Sequence, residues 1–371
     1  MVGVANLTAS CTGFDRTMPS SLRIFAGFLV LFADLCVLCA NATTSVAADT
    51  WPRGEWEQIE PAKAGWSVEA LEVARSYSLR LGTAAFIAVQ NGRIVTSWGN
   101  IDAKREVASV RKSLLNALIG MAVAEDKIRL DATLAALGVD DVPPPLTETE
   151  KQATVRQLLQ ARSGVYHAAL YETRGMAERR PVRGSHLPGT FWYYNNWDFN
   201  VLGAIYERAV GASIFDSFER RIARPLGMQD FHPNDGRYVD GAASRYPAYP
   251  FHMTARDLAR FGLLYARAGR WRDATVVPAA WVKESTTAWS ETDRHSGYGY
   301  LWWVALANKP DAIMHLSNGG FWAHGNKGQF IVIDAKRDLV VVHQTEGDTS
   351  VGEGGMSALM QLVLKAAHAD N

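Results

Sequence analysis

Thiol chemistry is all but absent from this chain. Its three cysteines, Cys11, Cys36 and Cys39, all lie ahead of residue 48. A chain processed there would keep no disulfide, no thiol nucleophile and no cysteine metal site. An excess of either charge is also missing, because 38 Lys+Arg balance 38 Asp+Glu. That argues against a nucleic-acid partner, which normally calls for a basic surplus, and no block of like charge marks an interaction tail. The nine histidines include no His-Glu-x-x-His, the helical spacing of a zinc hydrolase. No Gly-x-Ser-x-Gly occurs either, which disfavours the nucleophile elbow of an α/β-hydrolase. There is no internal repeat and no low-complexity linker, so one structural unit with two lobes is expected. No cofactor or metal is expected.

The first fifty residues read as a leader. From Met18 a short stretch with Arg23 precedes an apolar run from Ile24 to Ala40, then small residues up to Ala47-Ala48. A positive charge, an apolar segment and a small-residue cleavage site make a secretory signal peptide. Residues 1–48 are therefore expected to be removed, with translation starting near Met18 and the mature protein periplasmic or secreted. The rival is an uncleaved anchor, but the run is short and Asp34 interrupts it, at a cost in hydrocarbon. No membrane contact beyond the leader is expected. The remaining 49–371 must hold itself together by its core, which its length permits.

Local patterns then set out the elements. Ser67 caps a helical stretch with Glu69 in its first turn. Two β-rich runs, Ala84–Gln90 and Arg93–Trp98, are joined by Asn91-Gly92, a strong hairpin signal. Residues Ser109–Ala124 read as a buried helix, and about 131–239 as short helices and turns. A helix capped by Thr254 runs to Ala268. Strands are expected over Tyr298–Val304, Gly328–Asp334 and Leu339–Gln344, with a last helix over about 353–367. Strands at both ends and helices between them predict an α/β (α+β) fold. In it, an antiparallel sheet from about 65–130 and 240–371 is flanked by helices and carries an inserted, mainly helical lobe over about 131–239.

Three segments carry candidate chemistry. In Ser109-Val110-Arg111-Lys112 a helical spacing of three lets hydroxyl and ammonium meet on one face. Two readings fit: a plain N-cap followed by a surface lysine, or a nucleophile beside a lysine whose burial lowers its pKa until it can take the serine proton. The cations Arg111 and Lys112 occupy the turn that the helix dipole makes unfavourable for them, a broken local rule of the kind that accompanies function. In Phe191-Trp192-Tyr193-Tyr194-Asn195-Asn196-Trp197, Tyr194 can shuttle a proton, and Asn196 can bond Lys112 or a substrate carbonyl. The alternative is an aromatic core cluster with turn asparagines. In Phe321-Trp322-Ala323-His324-Gly325-Asn326-Lys327-Gly328-Gln329, glycine permits close approach, and the Asn326 N–H can join that of Ser109 as an oxyanion hole. The alternative is a glycine-rich hairpin turn.

Together, in this order, Ser109-x-x-Lys112, Tyr194-x-Asn196 and Gly325-x-x-Gly328-Gln329 resemble the motifs of the serine β-lactamase-related family. That family takes in class C β-lactamases, DD-peptidases, EstB-type esterases and nylon-oligomer (aminohexanoate-dimer) hydrolases. Val155–Gly164, Ala223–Met228 and Pro250–Gly262 extend the likeness over 65–368. The resemblance implies an acyl-enzyme on Ser109, with Lys112 and Tyr194 moving its proton and Asn196, His324, Gly325 and Asn326 around the substrate.

The third motif reads Ala323-His324-Gly325 where β-lactamases carry Lys-Thr-Gly, so small esters or linear amides are expected as substrates. A β-lactamase or DD-peptidase of the same fold is the alternative, and a non-catalytic cell-wall-binding protein is the alternative of another class. Trp192, Trp197, Trp302, Trp303 and Trp322, near the motifs in sequence, are expected to line an apolar acyl pocket.

Overall fold

A computed structural model describes residues 50–367 except 293, 294, 307, 308, 310 and 311. The leader expected over residues 1–48 lies outside these residues. Helix α1 (Val68–Arg80) starts where Ser67 accepts a hydrogen bond from the Ala70 N–H at 3.1 Å. The chain then forms the hairpin β1 (Ala85–Gln90) and β2 (Arg93–Gly99). Its two turn residues, Asn91 and Gly92, both hold positive φ, 51° and 72°, as a tight turn between twisted strands requires. A short strand β3 (Arg105–Glu106) leads to helix α2 (Arg111–Ala124).

Helices α3 (Val155–Leu159), α4 (Arg174–Arg179), α5 (Asn196–Val210), α6 (Ile214–Phe218) and α7 (Arg224–Leu226) follow, all short except α5, which runs for 15 residues where only short helices are expected. The chain returns through β4 (His252–Met253), which pairs with β3, into α8 (Ala255–Ala266). Thr254 caps α8 by accepting from the Asp257 N–H. A small ribbon of β5 (Arg270–Trp271) and β6 (Ala274–Thr275) and helix α9 (Ala279–Ser285) come next. The last strands are β7 (Ser290–Glu291), β8 (Gly297–Tyr298), β9 (Trp303–Val304), β10 (Phe321–Gly325), β11 (Gln329–Asp334) and β12 (Leu339–Gln344), closed by α10 (Glu353–Ala366).

Eight of these strands form one antiparallel sheet in the order β2-β1-β12-β11-β10-β9-β8-β7. The N-terminal hairpin thus joins the C-terminal strands, with Ala85 opposite Gln344 and Gln90 opposite Leu339. Every residue of β11 and β12 is buried, so the centre of the sheet is covered on both faces and reads as a continuous apolar run. Helix α8 packs on β12, β11 and β1, and α1 packs on α10. Helix α2 is buried almost all round, as an apolar helix without a polar face must be.

One strand departs from expectation. Tyr298–Val304 is not continuous but splits into β8 and β9, with Leu301 at φ 62° between them. The backbone there bonds helices instead of a neighbouring strand. Asn116 of α2 donates to the Tyr300 carbonyl at 2.9 Å, Ser113 donates to that of Leu301 at 2.8 Å, and the Leu301 N–H reaches the Leu159 carbonyl. Among the described residues, no helix is long and apolar enough to cross a membrane.

Candidate active site

Ser109 does not cap the buried helix. It sits in a 3-10 turn, Ala108–Val110, and α2 begins only at Arg111 with no side-chain cap. The residue before it, Ala108, holds φ 46°, a left-handed conformation that costs a non-glycine residue roughly 1–3 kcal/mol. This turn lies against β10 and β11. Gly325 makes the approach feasible: a Cβ there would stand 2.3 Å from the Val107 carbonyl oxygen. Close backbone packing thus explains one glycine of the third motif, and the motif forms the hairpin β10–β11, with Asn326 and Lys327 in its turn. His343 braces that turn, its Nδ1 donating to the Gly328 carbonyl at 2.8 Å and its Nε2 facing Thr83 Oγ1 at 2.8 Å. Burial pushes the His343 pKa down to about 4.

Lys112 stands one helical turn from Ser109, as the spacing predicts. Its Nζ donates to Ser109 Oγ at 2.7 Å and to Tyr194 Oη at 2.8 Å. The lysine is 1% exposed, and Ser109 is half-buried, within reach of solvent. Burial, and then the positive charge of Arg111, hold the Lys112 pKa well below its usual value. A buried amine that sheds its proton is a base. Tyr194 is fixed by stacking on Trp303, ring centroids 5.5 Å apart, and by edge contact with Tyr298 at 6.0 Å.

Arg111 is a feature the sequence did not assign. Its guanidinium is fully buried, donates from Nη2 to Asn200 Oδ1 at 3.1 Å and lies 4.2 Å from the Tyr249 ring centroid. Among the described residues no carboxylate pairs with it, and its Nε and Nη1 have no hydrogen-bond partner. Only the odd placement of two cations at a helix start signalled it.

The other expected residues separate into groups. Asn196 does not bond Lys112; its Nδ2 donates to the Tyr171 carbonyl at 2.7 Å, because Asn196 opens α5 and the loop through Tyr171 crosses it. His324 lines the site, stacks on Phe330 at 4.3 Å, and has its Nδ1 3.4 Å from Glu353 Oε1. Asn326 lines it as well. The tryptophan expectation holds for Trp192 and Trp303, which line the cavity at Ser109. It fails for Trp197, Trp302 and Trp322, each 0% exposed, whose rings fill the core instead. Nearness in sequence to a motif did not distinguish the two groups.

Two cavities meet at this point, of about 740 Å³ and about 490 Å³, and both are lined by Ser109, Thr173, Met176 and Asn326. Among the described residues no cluster of His, Cys, Asp or Glu could hold a metal ion.

The sequence of residues 68–364 matches the Beta-lactamase family model. Esterase EstB of Burkholderia gladioli is 26% identical over 172 residues, which cover 41% of this chain and 42% of EstB. The match thus spans less than half of EstB's length. Among solved structures, a “putative 6-aminohexanoate-dimer hydrolase” from Bacillus anthracis superposes with TM-score 0.60 at 21% identity, covering 80% of this chain and 81% of that one. A penicillin-binding protein homologue from Caulobacter crescentus superposes with TM-score 0.61 at 17% identity, covering 84% and 99%. At such identities these structures show the shared fold: an antiparallel sheet with flanking helices. The chain belongs to the beta-lactamase family.

Proposed function

We propose that this protein hydrolyses small esters or linear amides through an acyl-enzyme on Ser109. The observation that carries the reading is Lys112 Nζ, buried and within 2.8 Å of both Ser109 Oγ and Tyr194 Oη. With Lys112 neutral, Ser109 Oγ attacks the substrate carbonyl carbon as its proton passes to Nζ. The oxyanion that forms is held by the backbone N–H groups of Ser109 and Asn326. The tetrahedral adduct collapses as the proton travels by way of Tyr194 to the leaving oxygen or nitrogen, and the alcohol or amine departs. Water then attacks the acyl carbonyl, gives its proton to the same pair and releases the acid, restoring Ser109.

The reading of esters and linear amides, rather than β-lactams, is supported by the third motif. Ala323, which is buried, stands where β-lactamases carry lysine, so the motif offers no lysine ammonium to a β-lactam carboxylate. An exported location, after cleavage at Ala47 or Ala48, is part of the proposal and rests on the sequence of the leader. The test is steady-state hydrolysis of 4-nitrophenyl esters and 4-nitroanilides of short acids, with a cephalosporin in parallel. Ester or anilide turnover that disappears in Ser109→Ala supports the reading. Turnover of the cephalosporin alone moves the protein to the β-lactamases, and equal turnover by Ser109→Ala overturns the nucleophile.

A further inference from the structure

An oxyanion hole works only if its N–H groups are aimed, and the aim of the Asn326 N–H is set from outside its own turn. Among the described residues that N–H has no backbone acceptor, so it is a free donor beside the cavities that Asn326 and Ser109 both line. The Gly325 carbonyl and the Asn326 N–H belong to one planar, trans peptide unit and point in opposite directions. Across the turn, the Gly325 carbonyl accepts the Gly328 N–H at 3.2 Å, which directs the Asn326 N–H away from the turn. The next two carbonyls are tied to β12 and the chain beyond it. That of Lys327 accepts from Thr345 Oγ1 at 2.6 Å and from the Val351 N–H at 3.0 Å. That of Gly328 accepts from His343 Nδ1 at 2.8 Å.

His343 is fully buried and lies in register between Phe86 of β1 and Phe330 of β11. Its Nδ1 faces a carbonyl and therefore carries the ring proton. Its Nε2 meets Thr83 Oγ1 at 2.8 Å, and that hydroxyl also reaches the Ser78 carbonyl of α1 at 2.7 Å. A ring bonded at both nitrogens is fixed in tautomer and orientation. The contacts therefore run unbroken from α1 through Thr83, His343, Gly328 and Gly325 to the Asn326 N–H. Core filling alone does not call for this. An apolar side chain between two phenylalanines would leave no buried polar atom to satisfy.

We propose that His343, held by Thr83, is a positioning residue for the oxyanion hole: it fixes the turn Asn326–Gly328 so that the Asn326 N–H meets the oxyanion. The inference rests on the hydrolytic reading above and adds a residue that lines neither cavity and acts through the turn.

The experiment measures kcat and KM for a 4-nitrophenyl ester and its thiono (C=S) counterpart with wild-type enzyme, His343→Leu, His343→Asn and Thr83→Val. Active molecules are counted by intact mass after fluorophosphonate labelling to completion. Removal of a whole oxyanion donor costs about 10²–10³ in kcat, so its misalignment in His343→Leu is expected to cost about 10–100-fold per active molecule, with KM within about twofold. The preference for the oxygen ester should narrow as well, because sulfur is the poorer acceptor and gains less from the N–H. His343→Asn, whose amide nitrogen can stand where Nδ1 stood, should recover most of kcat, and Thr83→Val should lose about threefold, the worth of one neutral hydrogen bond. A purely structural role would lower the melting temperature and the labelled fraction while leaving kcat per active molecule and the oxygen-to-sulfur ratio at wild-type values. That result in His343→Leu, or in Thr83→Val if His343→Leu does not fold, overturns the inference and leaves the hydrolytic reading standing. No turnover of either ester by the wild-type enzyme overturns both.

Discussion

Two groups of buried cations sit in this protein, and they are built on opposite rules. Around the start of α8, Arg260 and Asp257 are both fully buried and paired at 3.4 Å. The Asp257 carboxylate also accepts three backbone N–H groups, from Gln229, Asp230 and Phe231. Beside it, Arg256 forms a two-pronged pair with Asp230 at 2.6 Å. At the start of α2, Arg111 and Lys112 are buried just as deeply, yet among the described residues neither has a carboxylate partner. Where a buried charge only has to be tolerated, its opposite is supplied. Where the opposite is withheld, burial and the neighbouring charge hold the pKa of one member, Lys112, well below its usual value, and that member touches a serine. On the proposed function, the cluster at α8 serves stability and the cluster at α2 serves chemistry.

The sharpest way to break this comparison is to delete one cation from each group. Lys112→Met is expected to lower kcat/KM by about 10²–10⁴-fold, the usual worth of a positioned base, and to leave the melting temperature unchanged or raised. The sign follows from linkage. The folded-state pKa of Lys112 lies well below the ordinary 10.5. Between the two values the unfolded chain holds the extra proton, and the lysine subtracts from stability. Arg260→Met should do the reverse. Denaturant unfolding should show a loss of about 3–5 kcal/mol, because Asp257 is left buried and unpaired, while turnover per folded molecule stays at the wild-type level. If Lys112→Met unfolds the protein and Arg260→Met abolishes turnover, the division is wrong.

His343 sharpens the comparison from a third position, as a buried base that is neutral without being catalytic. Its pKa is about 4 in the folded state against about 6.5 unfolded. Stability is therefore full above pH 6.5 and is lost progressively as the pH falls toward 4, by on the order of 3 kcal/mol. Unfolding curves taken across that range should flatten in His343→Gln, and an unchanged slope would show that other groups dominate. The smallest expected effect is at Arg111. Arg111→Met removes the charge that opposes protonation of Lys112, so the acid limb of the kcat/KM profile should move to higher pH, and Arg111→Lys should move it less. A profile of wild-type position would remove Arg111 from the account.

Much of this site was legible in the sequence because its key contacts are local or share one element. Ser109 and Lys112 are a helical turn apart, and the hairpin turns at Asn91-Gly92 and Asn326–Gly328 follow from their own residues. The cap at Ser67 and the cap at Thr254 are equally local. What stayed hidden depends on long-range contacts. The split between β8 and β9 arises from Ser113 and Asn116 reaching across from α2. The use of Asn196 to hold the Tyr171 carbonyl, and the burial of Trp197, Trp302 and Trp322, are set by which loops and strands come to lie against them.

The central claim, an activated serine at position 109, is tested most directly by intact mass of the folded protein after exposure to a fluorophosphonate, beside Ser109→Ala and Lys112→Met. The account predicts one adduct on the wild-type chain, none on Ser109→Ala and much slower labelling of Lys112→Met. Labelling of all three at the same rate, or of none while the wild-type protein hydrolyses esters, would contradict it.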